Sequence, residues 1–345
     1  MSQVGRDVDE LSLREKVGQL VMFSVAGHRL TSAERDAIKQ AHLGGVILFS
    51  KNYDDRAQLE VLTDQIQGAA RRGNSLRAGA LISVDQEGGV VKRFPDMPPR
   101  YSHPQLGDIN RKSLAFDQGR ATGWALRSRG VNVDLAPVAD LDLPPSHVMR
   151  ARSFGRNRYR VARLANAFAR GLQSRRVVAV AKHFPGFGGA TINSDFGRAY
   201  IYRSKRQLRA IDAVPFRRAI AGGIRMIMVS HGMYVNDGGR RPASMSRYIA
   251  TERLRREFGF TGVAISDALE SVDWRFGGNT SKACKETIRA GVDIALIVGG
   301  AGAARDCARR IRYGVLRGDI STERLDRAVR RVLELKEWMG LYDPT

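Results

Sequence analysis

Short apolar runs recur along the chain, separated by stretches in which hydrophobic and polar positions alternate with helical spacing. In order the runs are QLVMFSV, GGVILFS, GALISVD, NVDLAPV, VVAVAKH, MIMVSH, GVAISD and DIALIVG. Each has the length and β-branched content of a buried parallel strand. Between them lie amphipathic segments such as SAERDAIKQA, RAQLEVLTDQIQGAAR, RVARLANAFARGLQSR and SRYIATERLRREF. Alternating strand and helix signals predict parallel βα units. Eight units predict an α/β fold of the (β/α)8 TIM-type barrel kind, with a doubly wound sheet as the alternative. A barrel of this kind takes most of the chain, so residues 1–345 are read as one domain. The tail STERLDRAVRRVLELKEWMGLYD predicts a terminal helix over about 321–340, capped by Ser321 or Thr322.

In such barrels functional groups sit at the C-terminal ends of the strands. Ionisable residues do collect there: Asp85 ends the third run, Lys182 and His183 the fifth, His231 the sixth and Asp267 the seventh.

Composition narrows the classes. The 43% hydrophobic content supplies a large core, and the formal charge is +22, mostly from arginine. A charge of that size raises the idea of an anionic partner such as nucleic acid. The arginines, however, are dispersed in strings such as RREFGF, RRAI and RRIRYG that read as helix exteriors. With no zinc-finger spacing, no RNP-like signature and no basic tail, specific nucleic-acid binding is not expected. Cys284 and Cys307 are the two cysteines; they are expected to be reduced thiols, too few for a disulfide scaffold or a cysteine metal cluster. The opening MSQVGRDVDELSLREKVGQL lacks the charged-then-apolar pattern of a secretory signal. No run approaches the about 18 apolar residues of a membrane span. A cytoplasmic monomer is the expectation.

The local strings VDQEGGVVKRF, RSFGRN, KHFPG, PASMS and GFTGVAISDAL occur in that order. Together they resemble glycoside hydrolase family 3, specifically its single-domain β-N-acetylglucosaminidase branch, from LREKVGQLVM near the start to RVLELKEWMGLYD near the end. The resemblance implies a (β/α)8 barrel that removes terminal β-linked N-acetylglucosamine with retention, needing neither metal nor organic cofactor. A carboxylate attacks the anomeric carbon and an acid/base group protonates the leaving oxygen. In this branch the acid/base is a His, held by an Asp two residues before it.

Carried onto this chain, the resemblance makes Asp267 the nucleophile, followed by Ala268 where the family often has a second acid. Asp85 becomes an acceptor for sugar hydroxyls. Arg93, Arg152, Lys182 and His183 match sugar-contacting positions, and His231 is read as an orienting residue behind the site. Gln86, Glu87, Gly88 and Gly89 are read as shaping the loop, the glycines allowing a tight turn or close backbone approach. The loop after KHFPG departs from the family. Phe187 stands where a His is expected, and Asn193-Ser194-Asp195 replaces Asp-Ser-His. Three readings stay open: Asp195 is itself the acid/base; the acid/base step is feeble, or another acceptor such as phosphate is used; or the protein binds sugars without turning them over.

Overall fold

The computed structural model describes residues 3–144 and 146–344. All eight apolar runs form parallel strands: β1 (Val21–Ser24), β2 (Gly45–Leu48), β3 (Leu81–Val84), β4 (Val133–Asp134), β5 (Val178–Phe184), β6 (Met226–Val229), β7 (Val263–Ser266) and β8 (Ala295–Leu296). They follow one another around the sheet in chain order, and β8 returns to pair with β1 through Val21↔Ala295 and Met22↔Leu296. The ring closes between β7 and β8 at the bridge Ile265↔Ile294, where Ser266 Oγ also accepts the N–H of Leu296 at 3.0 Å. The strands are buried along their length because helices cover them outside and side chains fill them inside.

Local chemistry sets the helix ends. Thr31, Asp55, Asn157 and Ser321 each accept backbone N–H groups at the start of the helices Ser32–Gln40, Arg56–Arg72, Arg158–Gln173 and Thr322–Met339. These caps satisfy donors that a helix leaves unpaired. The helices Lys112–Arg127 and Arg158–Gln173 approach closely. A Cβ at Gly119 would come within 2.1 Å of the Phe168 carbonyl oxygen, and one at Gly171 within 2.2 Å of that of Phe116. Glycine is therefore required on both sides of this contact. No helix among the described residues is long and apolar enough to cross a membrane.

The expectation of two reduced thiols is corrected. Cys284, on the helix Thr280–Ala290, and Cys307, on the helix Ala301–Leu316, form a disulfide with Cα atoms 5.7 Å apart. Both are fully buried where these neighbouring helices pack. The sequence separation of 23 residues carries no sign of that adjacency; only the barrel order supplies it.

Candidate active site

The C-terminal ends of the strands open on a cavity of about 440 Å³. Asp85, Arg93, Arg152, Lys182, His183, Asp195 and Asp267 all line it, together with Phe49, Leu135, Met228 and other apolar side chains. Of the residues singled out in the sequence, His231 does not line the cavity; its Nε2 bonds the carbonyl oxygen of Ala268 at 2.9 Å and its Nδ1 meets Ser244 Oγ at 2.8 Å. It fixes the backbone just after Asp267.

β3 runs directly into the hairpin Gln86–Gly88 and Val91–Lys92. Gly88 and Gly89 take φ of +87° and +70°, so the turn needs residues without a side chain. Gln86 closes it: Oε1 accepts the N–H groups of Arg93 and Phe94 at 3.0 Å, and Nε2 donates to the carbonyls of Phe94 and Pro98. This rigid hairpin delivers Asp85 and Arg93 to the cavity wall.

Glu87 does more than shape the loop. Its carboxylate is fully buried, 2.6 Å from Lys182 Nζ, and takes a two-pronged interaction from Arg152, Nε at 3.0 Å and Nη2 at 2.7 Å. Lys182 also donates to Asp85 Oδ1 at 2.6 Å, and Arg93 Nη2 lies 3.8 Å from Asp85 Oδ2 while its guanidinium sits over the Phe49 ring. The charges settle one another. Burial alone would raise the Glu87 carboxyl, yet Lys182 and Arg152 hold it far below the usual carboxylate range. Burial would lower Lys182, yet Asp85 and Glu87 raise it. Beneath them Asp134 is driven well upward, first by burial. The result is a lattice of fixed cations and carboxylates, which suits the hydroxyl groups of a pyranose.

Across the cavity, His183 is locked by Asp140, a residue the sequence reading passed over. Asp140 Oδ2 meets His183 Nδ1 at 2.7 Å and accepts its backbone N–H at 3.0 Å, while Oδ1 accepts the N–H of Phe187 at 2.6 Å. His183 Nε2 is thereby aimed at Asp267 Oδ2, 3.9 Å away. The signal was present in the fourth run, whose continuation Ala139-Asp140 also ends in an acid. Asp267 Oδ1 accepts the N–H of Ala268 at 2.8 Å. Burial pushes its carboxyl up, but His183, His231, that N–H and Lys182 together bring it below its ordinary value. An ionised carboxylate beside cations and open to a cavity can act as a nucleophile.

The altered loop lies over the same cavity. Asn193, Ser194 and Asp195 line it, and Ser271 Oγ donates to Asp195 Oδ1 at 3.2 Å. Asn193 Nδ2 donates to Asp195 Oδ2 at 3.3 Å. Phe187 is buried beside His183, their ring centroids 6.0 Å apart. Among the described residues no group of three or more His, Cys, Asp or Glu is arranged to hold a metal ion.

Comparison with known proteins agrees with this architecture. Residues 12–335 match the glycosyl hydrolase family 3 N terminal domain. A β-hexosaminidase of Nitrosomonas eutropha is 37% identical over 285 residues, which cover 80% of this chain and 80% of that protein. A glycoside hydrolase family 3 β-N-acetylglucosaminidase from a Paenibacillus species superposes over 96% of this chain with a TM-score of 0.91 and 32% identity; this chain spans 63% of that longer one. NagZ from Neisseria gonorrhoeae superposes with a TM-score of 0.75 at 29% identity, over 94% of this chain and 98% of that one.

Proposed function

The chain belongs to glycosyl hydrolase family 3, and on that premise we propose that it cleaves terminal β-linked N-acetylglucosamine from cell-wall-type glycans with retention of configuration. Asp267 attacks the anomeric carbon as the bond to the leaving oxygen breaks, giving a glycosyl-enzyme ester. Water then attacks the same carbon and Asp267 leaves. Asp85, Arg93, Arg152, Lys182 and His183 hold the sugar. Asp195 stands in the acid/base position: it gives a proton to the leaving oxygen in the first step and takes one from water in the second.

The observation that carries this reading is the hydrogen bond between Ser271 and Asp195. It ties the altered loop to the segment that begins at Asp267, so both carboxylates line one cavity. A carboxylic acid is a common proton donor in glycosidases. The same contact also supports a second reading. Both Asp195 oxygens accept hydrogen bonds, from Ser271 and Asn193. Engaged in this way, and on a side chain shorter than the histidine of the family, Asp195 reaches the leaving oxygen poorly, and the second reading is a protein that binds the sugar without turnover.

The Cys284–Cys307 bridge bears on location. Structural disulfides persist in oxidising compartments, so the bridge favours an oxidising setting over the cytoplasmic one expected from the sequence.

Incubation with 5-fluoro-N-acetylglucosaminyl fluoride, digestion and mass spectrometry test the chemistry. An adduct on the Asp267 peptide supports the hydrolase. N-acetylglucosamine binding by calorimetry without any adduct supports the binding protein.

A further inference from the structure

We propose that Trp274 is a positioning residue: its ring, engaged by the Arg198 guanidinium, fixes the loop that carries Asp195 against the cavity, so that the Asp195 carboxyl meets the leaving oxygen. The proposal rests on the reading above, in which Asp195 transfers the proton.

The loop is tied at its neck, where the Thr191 N–H donates to the Tyr200 carbonyl oxygen at 3.0 Å and the Tyr200 N–H to Thr191 Oγ1 at 3.1 Å. Beyond the neck Asp195, Phe196, Gly197 and Arg198 are exposed, Phe196 by 81%. Among the described residues, hydrogen bonds and ring contacts from 192–198 to the rest of the protein reach two side chains. One is Ser271, which donates to Asp195 Oδ1 at 3.2 Å. The other is Trp274, with Arg198 Cζ 4.1 Å from its ring centroid, inside the about 6 Å range of a cation–π contact.

The two contacts are in register. Ser271 and Trp274 are three residues apart in the 3₁₀ segment Leu269–Phe276, and side chains so spaced share one face of such a helix. Asp195 and Arg198 are likewise three apart in the loop. The segment is a firm platform. Its Leu269 and Val272 are buried, Glu270 Oε1 accepts the N–H groups of Val298 and Gly299 at 2.9 and 2.8 Å, and Thr280 Oγ1 donates to Asp273 Oδ2 at 2.9 Å. Arg275 also approaches the Trp274 ring, at 5.4 Å, and donates to the Arg240 carbonyl oxygen at 3.4 Å. A single hydrogen bond leaves the loop free to pivot about it; a second contact three residues on stops the pivot. Proton transfer needs the donor within about 2.6–3.2 Å of the leaving oxygen, and a misplacement of about 1 Å can cost about 10²-fold. Trp274 and Arg198 do not line the cavity themselves, so they act through Asp195.

The test compares the full chain with Trp274→Ala, Trp274→Phe and Arg198→Met on phenyl and 2,4-dinitrophenyl β-N-acetylglucosaminide. Phenolate needs a proton to leave; dinitrophenolate does not. For Trp274→Ala and Arg198→Met the expected result is a loss of roughly 3–30-fold in kcat/KM on the phenyl compound and little change on the dinitrophenyl compound. Chymotrypsin cleavage after Phe196, read by mass spectrometry, should become faster in both. Trp274→Phe keeps a ring face for Arg198 and should retain most of the activity on the phenyl compound. Equal losses on both substrates, no loss on either, unchanged cleavage, or a phenylalanine variant no better than the alanine one would overturn the proposal while leaving the hydrolase reading intact. If the unaltered protein hydrolyses neither compound, the hydrolase reading falls and the positioning role falls with it.

Discussion

His183 Nε2 stands 3.9 Å from the Asp267 carboxylate because the buried Asp140 holds its Nδ1 from the other side at 2.7 Å. Asp140 also accepts two backbone N–H groups, so it sets both the ring and the start of the loop that covers the cavity. Asp140→Asn removes the charge and breaks at least one of these bonds. Hydrogen bonds to charged groups contribute roughly 1.5–3 kcal/mol, so kcat/KM on an aryl N-acetylglucosaminide should fall about 10–100-fold. Steady-state kinetics beside urea unfolding will separate the loss of activity from a comparable loss of stability. Unchanged kinetics would remove Asp140 from the catalytic arrangement.

The Asp195 position predicts a leaving-group effect. General acid catalysis contributes roughly 10²–10⁴-fold, and it matters when the leaving group needs a proton. A nitrophenolate hardly needs one; a sugar alkoxide does. Aspartate is shorter than the histidine the family places at position 195, so aryl N-acetylglucosaminide should be turned over measurably and a natural disaccharide barely. Asp267→Asn should abolish both. Asn193→Asp combined with Asp195→His should raise turnover of the disaccharide. Comparable rates on the two substrates, with Asp195→Ala harming the disaccharide more, would instead establish Asp195 as a competent acid.

The buried bridge predicts a thermodynamic effect. Closing a loop of 23 residues restricts the unfolded chain by about 3 kcal/mol. Cys284→Ser with Cys307→Ser should lower the urea midpoint accordingly, without changing affinity for N-acetylglucosamine. A thiol reagent should find no free cysteine in the unfolded, unreduced protein and two after reduction.

Lys336 predicts a pH effect of defined sign. It is fully buried in the last helix, its Nζ donating to Gln19 Oε1 at 2.6 Å, and burial pulls its pKa down from 10.5 to about 7. Between these values the unfolded chain binds a proton that the folded chain does not, so stability rises with pH across that window. Below pH 7 the full penalty applies. Lys336→Met removes it, and the gain in unfolding free energy should be roughly 2–3 kcal/mol larger at pH 6 than at pH 9. An equal gain at both would mean that the lysine stays charged in the folded protein.

The fold was legible because every strand is short, apolar and buried, and every intervening helix carries a one-sided pattern. Position within the strand also worked: Asp85, Lys182, His183 and Asp267 lie at strand ends and line one cavity. What escaped were relationships made by the closed ring rather than by local sequence. Glu87 looked like a turn residue because its partners are distant in the chain, Arg152 in a loop and Lys182 in β5. Asp140 was hidden because its partner, His183, lies at the end of the next strand, 43 residues further along the chain. The two cysteines lie on consecutive helices whose facing sides no spacing rule identifies.

The joint between β7 and β8 gives the bridge a mechanical meaning. A hoop yields where its ends are joined, and here the joint is one backbone bridge, Ile265↔Ile294, flanked by the Ser266 hydroxyl and by the Asp293 carboxylate, which accepts the N–H of Ala264. Asp267 is the next residue after that joint. The helix that links β7 to β8, Thr280–Ala290, is fastened by Cys284 to Cys307 on the helix that follows β8. Any widening of the ring at this point would carry the carboxylate away from His183. The covalent strap lies outside the wall, yet what it keeps from drifting is the spacing of groups inside.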